Sequence, residues 1–251
     1  MLTEERRELM VKLINDEGAV TVAELMDRFD ASAATIRRDL NALNDAHKII
    51  KVFGGATSLS QPTINTVEDA VAIKSTRNVE EKDVIGKYAA SLIQDTDFVY
   101  IDSGTSTLKM IDYIGNTKAK FITNGIVHAK KMIDKGLSTM IIGGKLKPAT
   151  EAIVGPDSIE AISKYHFTKA FMGTNGVSLD AGFTTPDVEE ARLKTEAINH
   201  SYMKCILADH SKFGQVSSVS FAPISKCAII TDQTPDKRYL DKTVIKALSE
   251  L

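Results

Sequence analysis

The sequence predicts two domains: a small, mainly α winged helix-turn-helix over residues 1–56 and an α/β domain with a mostly parallel sheet over residues 67–251. Three observations predict this. Residues 32–43 read as a capped amphipathic helix with adjacent arginines, and a β-branched run ending in two glycines follows them. From residue 98 onward, short apolar runs alternate with helical patterns, the arrangement that builds parallel sheets with helices on their faces.

Residues 3–17 form the first helix, with Leu9, Met10, Leu13 and Ile14 on one side and Gly18 to end it. A short second helix opens at Thr21, a good N-cap with Glu24 at the spacing of a capping box. Leu25, Met26 and Phe29 supply its inner face, and a turn at Asp30-Ala31 leads to the third helix. There Ser32 is the N-cap, while Ile36, Leu40 and Leu43 share a buried stripe. The opposite face carries Ala34, Arg38 and Asn41, flanked by Thr35 and Arg37. Arg and Asn offer the forked groups that match guanine and adenine edges in the major groove. Adjacent arginines alone also describe a solvated face. The order helix, short helix, tight turn, arginine-bearing helix favours DNA recognition, with Ser32, Thr35, Arg37, Arg38 and Asn41 as candidate contacts.

The run Lys48–Ala56 suggests a hairpin wing, from which Lys48 and Lys51 reach phosphates. The alternative is a short strand leading into a linker. Residues 1–56 hold 8 basic and 10 acidic side chains, so this segment lacks the basic balance common in nucleic-acid-binding domains. Binding must then rest on the cluster Arg37, Arg38, Lys48 and Lys51, with a shallow salt dependence.

With 251 residues, 43% of them hydrophobic, and a net charge of −2, the chain has the composition of an ordinary globular protein. That charge argues neither for a membrane surface nor for wholesale nucleic-acid coating. No apolar run approaches the roughly 20 residues of a membrane span, and no signal peptide opens the chain, so the cytoplasm is expected. Cys205 and Cys227 have no metal-binding or redox spacing, the five histidines are scattered singly, and neither metal nor cofactor is expected.

Residues 57–66, with the polar stretch Ser58-Leu59-Ser60-Gln61-Pro62-Thr63, read as a linker. Strands are expected at 98–101, 120–123, 140–142, 170–172, 205–208 and 228–231, with helices near 106–114 and 126–135 and a terminal helix at the end. Ligands of open α/β sheets bind beyond the carboxyl ends of the strands. Those ends carry Asp102-Ser103-Gly104-Thr105-Ser106-Thr107, then Asn124, Gly144, Thr174 with Asn175, and Asp209-His210-Ser211-Lys212. The first loop, leading into a helix, has the composition of a phosphate cradle. It lacks the Gly-Lys-Ser/Thr ending of a P-loop, which argues against nucleotide hydrolysis. Each loop alone is also a plausible tight turn; their succession points to one shared pocket. Lys212, in a loop after a strand, is a stronger candidate cation than Lys194, whose helix reads equally as a solvated face with i,i+4 pairs.

The chain resembles the DeoR-type family of bacterial sugar-operon transcriptional repressors over nearly its whole length. Thr35-Ile36-Arg37-Arg38-Asp39-Leu40 matches the family's Thr-[Ile/Val]-Arg-Arg-Asp-Leu helix, and Gly54-Gly55-Ala56 matches the end of its wing. The segments at 102–107, 123–124, 143–144, 173–176 and 208–214 match its effector domain. The resemblance implies a larger domain similar in fold to ribose-5-phosphate isomerase. Ala149–Gly155 and Gly182–Asp187 are closest to fructose-operon repressors, implying fructose 1-phosphate as the effector. The wing departs from the family's Arg-Val-His-Gly-Gly-Ala: Lys51 and Phe53 replace the Arg and His, and Phe53 is expected to pack rather than bind.

The expected function is a repressor of a sugar-utilisation operon. It binds double-stranded operator DNA as a homo-oligomer, a dimer or tetramer, and responds to a phosphorylated sugar. The rival is an active sugar-phosphate isomerase with a DNA-binding appendage, using one of the carboxylates Asp102, Asp187, Glu189 or Asp209 as general base. A plain oligomerisation scaffold would leave the phosphate loop unexplained.

Overall fold

The computed structural model describes residues 2–58 and 64–249, so residues 59–63 of the expected linker lie outside the described residues. The chain forms two compact units, Met1–Thr63 and Ile64–Leu251.

In the first unit α1 (Thr3–Glu17) ends at Gly18, whose φ of 76° an L side chain rarely adopts. β1 (Ala19–Thr21), α2 (Val22–Phe29), α3 (Ala33–Asp45), β2 (Ile49–Val52) and β3 (Gly55–Ser58) follow. The Thr21–Glu24 capping box and the Ser32 cap are both formed; the Thr35 N–H donates to Ser32 Oγ at 3.3 Å. Met10, Ile14, Val20, Leu25, Ile36, Leu40, Leu43, Ile49 and Ala56 make the core. Leu9, expected on the inner side of α1, is exposed. β2 and β3 form the wing hairpin and β1 adds a third strand, in the order β1-β3-β2. Gly55 is required there: a Cβ would lie 2.2 Å from the Val20 carbonyl oxygen.

Strand pairing also moves the expected boundaries. Thr57 and Ser58, assigned to the linker, pair with Ile50 and Ile49 in the wing. Asn65 bonds back to Val216 and therefore belongs to the second unit.

A buried carboxylate ties α3 to α1. Asp39 is 1% exposed and accepts from Arg6 Nε at 2.8 Å and Arg7 Nε at 2.9 Å. Two of the domain's arginines are thus structural, which narrows the basic surface still further.

The second unit begins with α4 (Val71–Thr76) and α5 (Val79–Ser91), then β4 (Phe98–Ile101), α6 (Thr105–Tyr113), β5 (Lys120–Thr123), α7 (Ile126–Asp134) and β6 (Ser138–Ile141). The small pair β7 (Lys145–Lys147) and β8 (Ala152–Val154) leads to α8 (Pro156–Ile162) and β9 (Phe167–Gly173). Next come β10 (Gly176–Ser178), β11 (Gly182–Thr185), α9 (Val188–Asn199), β12 (Ser201–Leu207), β13 (Val219–Ala222), β14 (Ala228–Thr231), α10 (Lys237–Leu240) and β15 (Ile245–Ala247). The expected terminal helix is a single turn, α10, and β15 then joins the sheet as its edge strand.

The main sheet has seven parallel strands in the order β15-β14-β12-β9-β4-β5-β6. Its residues alternate between two buried faces, as a parallel sheet covered on both sides requires. Tyr100, Ile122, Met172 and Ile206 pack with Ile162, Leu193 and Ala197 of α8 and α9. Val99, Ile101, Phe121, Phe171 and Leu207 pack with Ile85, Met110, Ile111 and Met132 of α5, α6 and α7. The chain leaves β4 toward β5 and β6 on one side, then returns to build β9, β12, β14 and β15 on the other. The gap between β4 and β9 is the switch point where such sheets hold ligands.

Asp39→Ala leaves Arg6 and Arg7 without their shared acceptor and is expected to cost the first unit about 1–3 kcal/mol. Hydrogen exchange should then speed up in α3 amides and stay unchanged in the seven-stranded sheet; protected α3 amides in this variant would contradict the role given to Asp39.

Candidate functional site

A cavity of about 380 Å³ opens at the carboxyl ends of β4, β9 and β12. Asp102, Ser103, Gly104, Thr105 and Ser106 form one wall, and Gly173, Thr174 and Asn175 another. Lys74 and Lys82 come from α4 and α5, Arg77 and Asn78 from the junction between them, Glu190 and Lys194 from α9, and Asp209, Ser211 and Lys212 from the turn after β12. Five basic and four acidic side chains line it, and most are already matched. Lys194 pairs with Asp102, both almost fully buried. Lys74 pairs with Glu68, and Arg77 meets Asp69 at 2.8 Å. Lys82 donates to the Arg77 carbonyl at 2.6 Å, while Glu190 accepts from Lys147 at 2.8 Å and Thr150 at 2.9 Å.

One cation is left over: the Lys212 ammonium has no hydrogen bond or ion pair among the described residues. Asp209 is 1% exposed; its Oδ1 accepts from Asn78 at 2.8 Å, and its Oδ2, without a partner among the described residues, is buried out of reach of the cavity. Thr105 and Ser106 open α6, where first-turn N–H groups have no intrahelical acceptor and the helix dipole favours an anion.

Burial pulls the Lys74 ammonium down to about 8, with Lys194 and Lys212 adding to the effect against the pull of Glu190 and Asp102. Burial likewise lowers Lys82. Both ammonium groups are therefore held in low-dielectric surroundings, where burial outweighs their partners.

The cradle loop is braced from behind. Asn124 Oδ1 accepts from the Ser103 N–H at 3.0 Å and the Tyr100 hydroxyl at 3.1 Å. His128, pushed down to about 4 by burial, stays neutral and donates from Nε2 to the Gly104 carbonyl at 2.9 Å. On the far side, Asp232 accepts from both the His210 backbone N–H and its Nδ1, each at 2.7 Å, fixing the turn that carries Lys212. Glu81 lies beside this pair, so one His and two carboxylates do come together, with ligand atoms within 4.8 Å of one another.

On α3, Arg37, Arg38 and Asn41 are exposed, and the two arginines have no ion-pair partner among the described residues. Lys51 bridges wing and helix: its Nζ donates to Asn41 Oδ1 at 2.7 Å, and its N–H to Asn44 Oδ1 at 2.9 Å.

Residues 77–233 match the DeoR C terminal sensor domain, and residues 6–62 match the DeoR-like helix-turn-helix domain. The chain belongs to the DeoR family. It is 41% identical to the uncharacterized HTH-type transcriptional regulator FruR of Bacillus subtilis (strain 168), over 99% of either chain. It is 33% identical to the lactose phosphotransferase system repressor of Staphylococcus epidermidis, over 98% of each. Among solved structures, ribose 5-phosphate isomerase A from Methanocaldococcus jannaschii aligns with a TM-score of 0.41 and 14% identity, covering 54% of this chain and 55% of that one.

Within this DeoR-family sensor domain the structure rearranges several sequence expectations. Asp102, Ser103, Gly104, Thr105, Ser106, Thr174, Asn175, Lys194 and Lys212 line the cavity; Thr107, Asn124 and Gly144 do not. Thr107 turns its hydroxyl onto the Gly104 carbonyl at 2.7 Å, and Asn124 is spent on the loop backbone. Gly144, at φ 147°, packs where a Cβ would strike Ser158 Oγ at 2.1 Å. Lys194 does not sit on a solvated face; it is buried against Asp102, deeper than Lys212. Lys74, Arg77, Asn78, Lys82 and Glu190 were not anticipated. Asn78 ahead of Glu80 and Glu81 was the available signal, since it marks a helix start. Cys205 and Cys227 are buried free thiols pushed up to about 12 by burial. No helix among the described residues is long and apolar enough to cross a membrane.

An anion entering the cavity restores the proton that burial withholds from Lys74. Binding of a doubly ionised phosphate near pH 8 should therefore take up protons, read by calorimetry in buffers of differing ionisation heat. Binding with no proton uptake at that pH would contradict the placement of the anion beside Lys74.

Proposed function

We propose that this DeoR-family chain represses a sugar-utilisation operon and that a phosphorylated sugar in the cavity at the β4–β9 switch point modulates its DNA binding. The observation that carries this reading is the Lys212 ammonium, free of ion pairs among the described residues, lining one cavity with the first turn of α6. Together they suit a phosphate. One relative's name, a lactose phosphotransferase system repressor, supports a sugar-linked role. Fructose 1-phosphate is our best candidate, resting on the motif at residues 149–155, of which Thr150 lines the cavity.

For the DNA side, Arg37, Arg38, Thr35 and Asn41 of α3 enter the major groove, Ser32 caps that helix, and Lys48 and Lys51 approach phosphates. A palindromic operator would be read by a two-fold symmetric oligomer of this chain, which we place in the cytoplasm. The effector must bind the DNA-competent and DNA-incompetent states unequally, since equal affinity shifts nothing.

Sensing is favoured over isomerisation by the state of the carboxylates. Asp102 Oδ2 is held by Lys194 and by the Gly173 N–H at 3.1 Å. Asp187 caps α9 through the Glu190 N–H, and Glu189 pairs with Lys145 at 3.0 Å. Asp209 accepts from Asn78 and the Ser211 N–H on one oxygen and buries the other. Groups so engaged are poor candidates for taking a proton from a substrate carbon.

Thermal melting of the intact chain against phosphorylated and unphosphorylated hexoses and pentoses tests the reading. At a ligand concentration a hundred times Kd the folded state gains about 2.7 kcal/mol, or about 5–10 °C for a domain of this size. The shift should appear with one phosphorylated sugar, and Lys212→Ala or Thr105→Ala should diminish it. No shift with any sugar phosphate, or turnover of one abolished by Asp102→Ala, would overturn it.

A further inference from the structure

Phe53 is the residue of the first unit that its own fold leaves unexplained. Expected to pack, it is instead fully exposed at 108%, at the tip of the β2–β3 hairpin. Ile50 and Val52, on the hairpin face turned away from Ile49 and the core, are also exposed, so an apolar strip leads up to the ring. The tip is held on both flanks. The Gly54 carbonyl accepts from the Val22 N–H at 2.8 Å, and Lys51 is bonded to Asn41 on α3. An aromatic ring is thus presented to water on a rigid arm that is hydrogen-bonded to the arginine-bearing helix.

Charge indicates what covers it. Residues 1–56 carry more acidic than basic side chains, and Asp39 consumes Arg6 and Arg7 while Glu17 meets Arg28 at 2.6 Å. Lys12, Arg37, Arg38, Lys48 and Lys51 remain to neutralise phosphates, set against the domain's net negative charge, so a contribution that is not ionic would add to DNA contact. Apolar side chains supply one by entering the minor groove and partly unstacking a base step.

We propose that Phe53 is an apolar wedge that enters the DNA minor groove beside the half-site read by α3. The proposal rests on the DNA-binding reading above and adds to it a contact from the wing. Because the ring is pre-positioned and touches little of its own fold, its burial contributes to binding alone.

The test uses the intact protein and a duplex that the protein itself selects from a random-sequence library. Phe53→Ala should weaken binding about tenfold or more, with an unchanged melting temperature. The slope of log affinity against log salt should stay the same, because no charge is lost. The chain contains no tryptophan, so Phe53→Trp places one reporter at the tip. Its emission should shift to the blue and become shielded from acrylamide when the duplex binds. Phe53→Ala binding as tightly as the parent overturns the wedge, as does an indole reporter that stays open to quencher in the complex. Shielding that rises with protein concentration in the absence of DNA also overturns it, since the ring would then be covered by a second copy. Arg38→Ala is the control: if it too binds like the parent, the helix-turn-helix reading fails and the wedge falls with it.

Discussion

The sensor unit turns on the buried pair between Asp102 and Lys194. Asp102 stands at the end of β4 and Lys194 on α9, and the same carboxylate oxygen accepts from the Gly173 N–H at the end of β9. Lys194 in turn reaches the Gly173 carbonyl at 3.2 Å. One ion pair therefore joins both strands of the switch point to the helix that covers them. Removing one member of such a pair costs about 3–5 kcal/mol, because the other is left buried and charged. This pair fixes the spacing of the two loops that wall the cavity, and it engages the Asp102 carboxylate.

Around that anchor the remaining charges are arranged in near balance. Glu68, Asp69 and Asp102 answer Lys74, Arg77 and Lys194 at one to one, and backbone carbonyls hold Lys82. What is left is small and specific: one ammonium and one helix N-terminus. A site built on the excess of a single cation discriminates by geometry rather than by gross attraction. The first unit follows the same economy. Of its five arginines, Arg6 and Arg7 are sunk onto Asp39, Arg28 meets Glu17, and Arg37 and Arg38 on α3 have no ion-pair partner among the described residues.

Much of this was legible in the sequence where local chemistry decides the outcome. The Thr21–Glu24 box, the Ser32 cap and the stripe Ile36, Leu40, Leu43 specify their helices within a few residues. The apolar runs at 98–101, 120–123 and 228–231 are strands within those bounds. Long-range placement was less accessible. Lys74 and Lys82 sit in α4 and α5 with no motif around them, and only the fold carries them to the ends of β4 and β12. Lys194 looked solvated because helical spacing cannot show that Asp102, 92 positions away, waits on the other side. Asn124 and Gly144 belong to loops of the right composition, yet one braces the cradle and the other packs against Ser158. Phe53 was misjudged for the opposite reason, since an apolar side chain was expected to find cover and the hairpin tip offers none.

On the proposed function, a phosphorylated sugar bound by the second unit changes DNA binding by the first. Fluorescence anisotropy of the intact chain on its selected duplex, titrated with sugar phosphates and their unphosphorylated parents, tests it most directly. One phosphorylated sugar should change DNA affinity by about fivefold or more while its parent sugar leaves it unchanged. Tight, specific DNA binding that no sugar phosphate alters would contradict it.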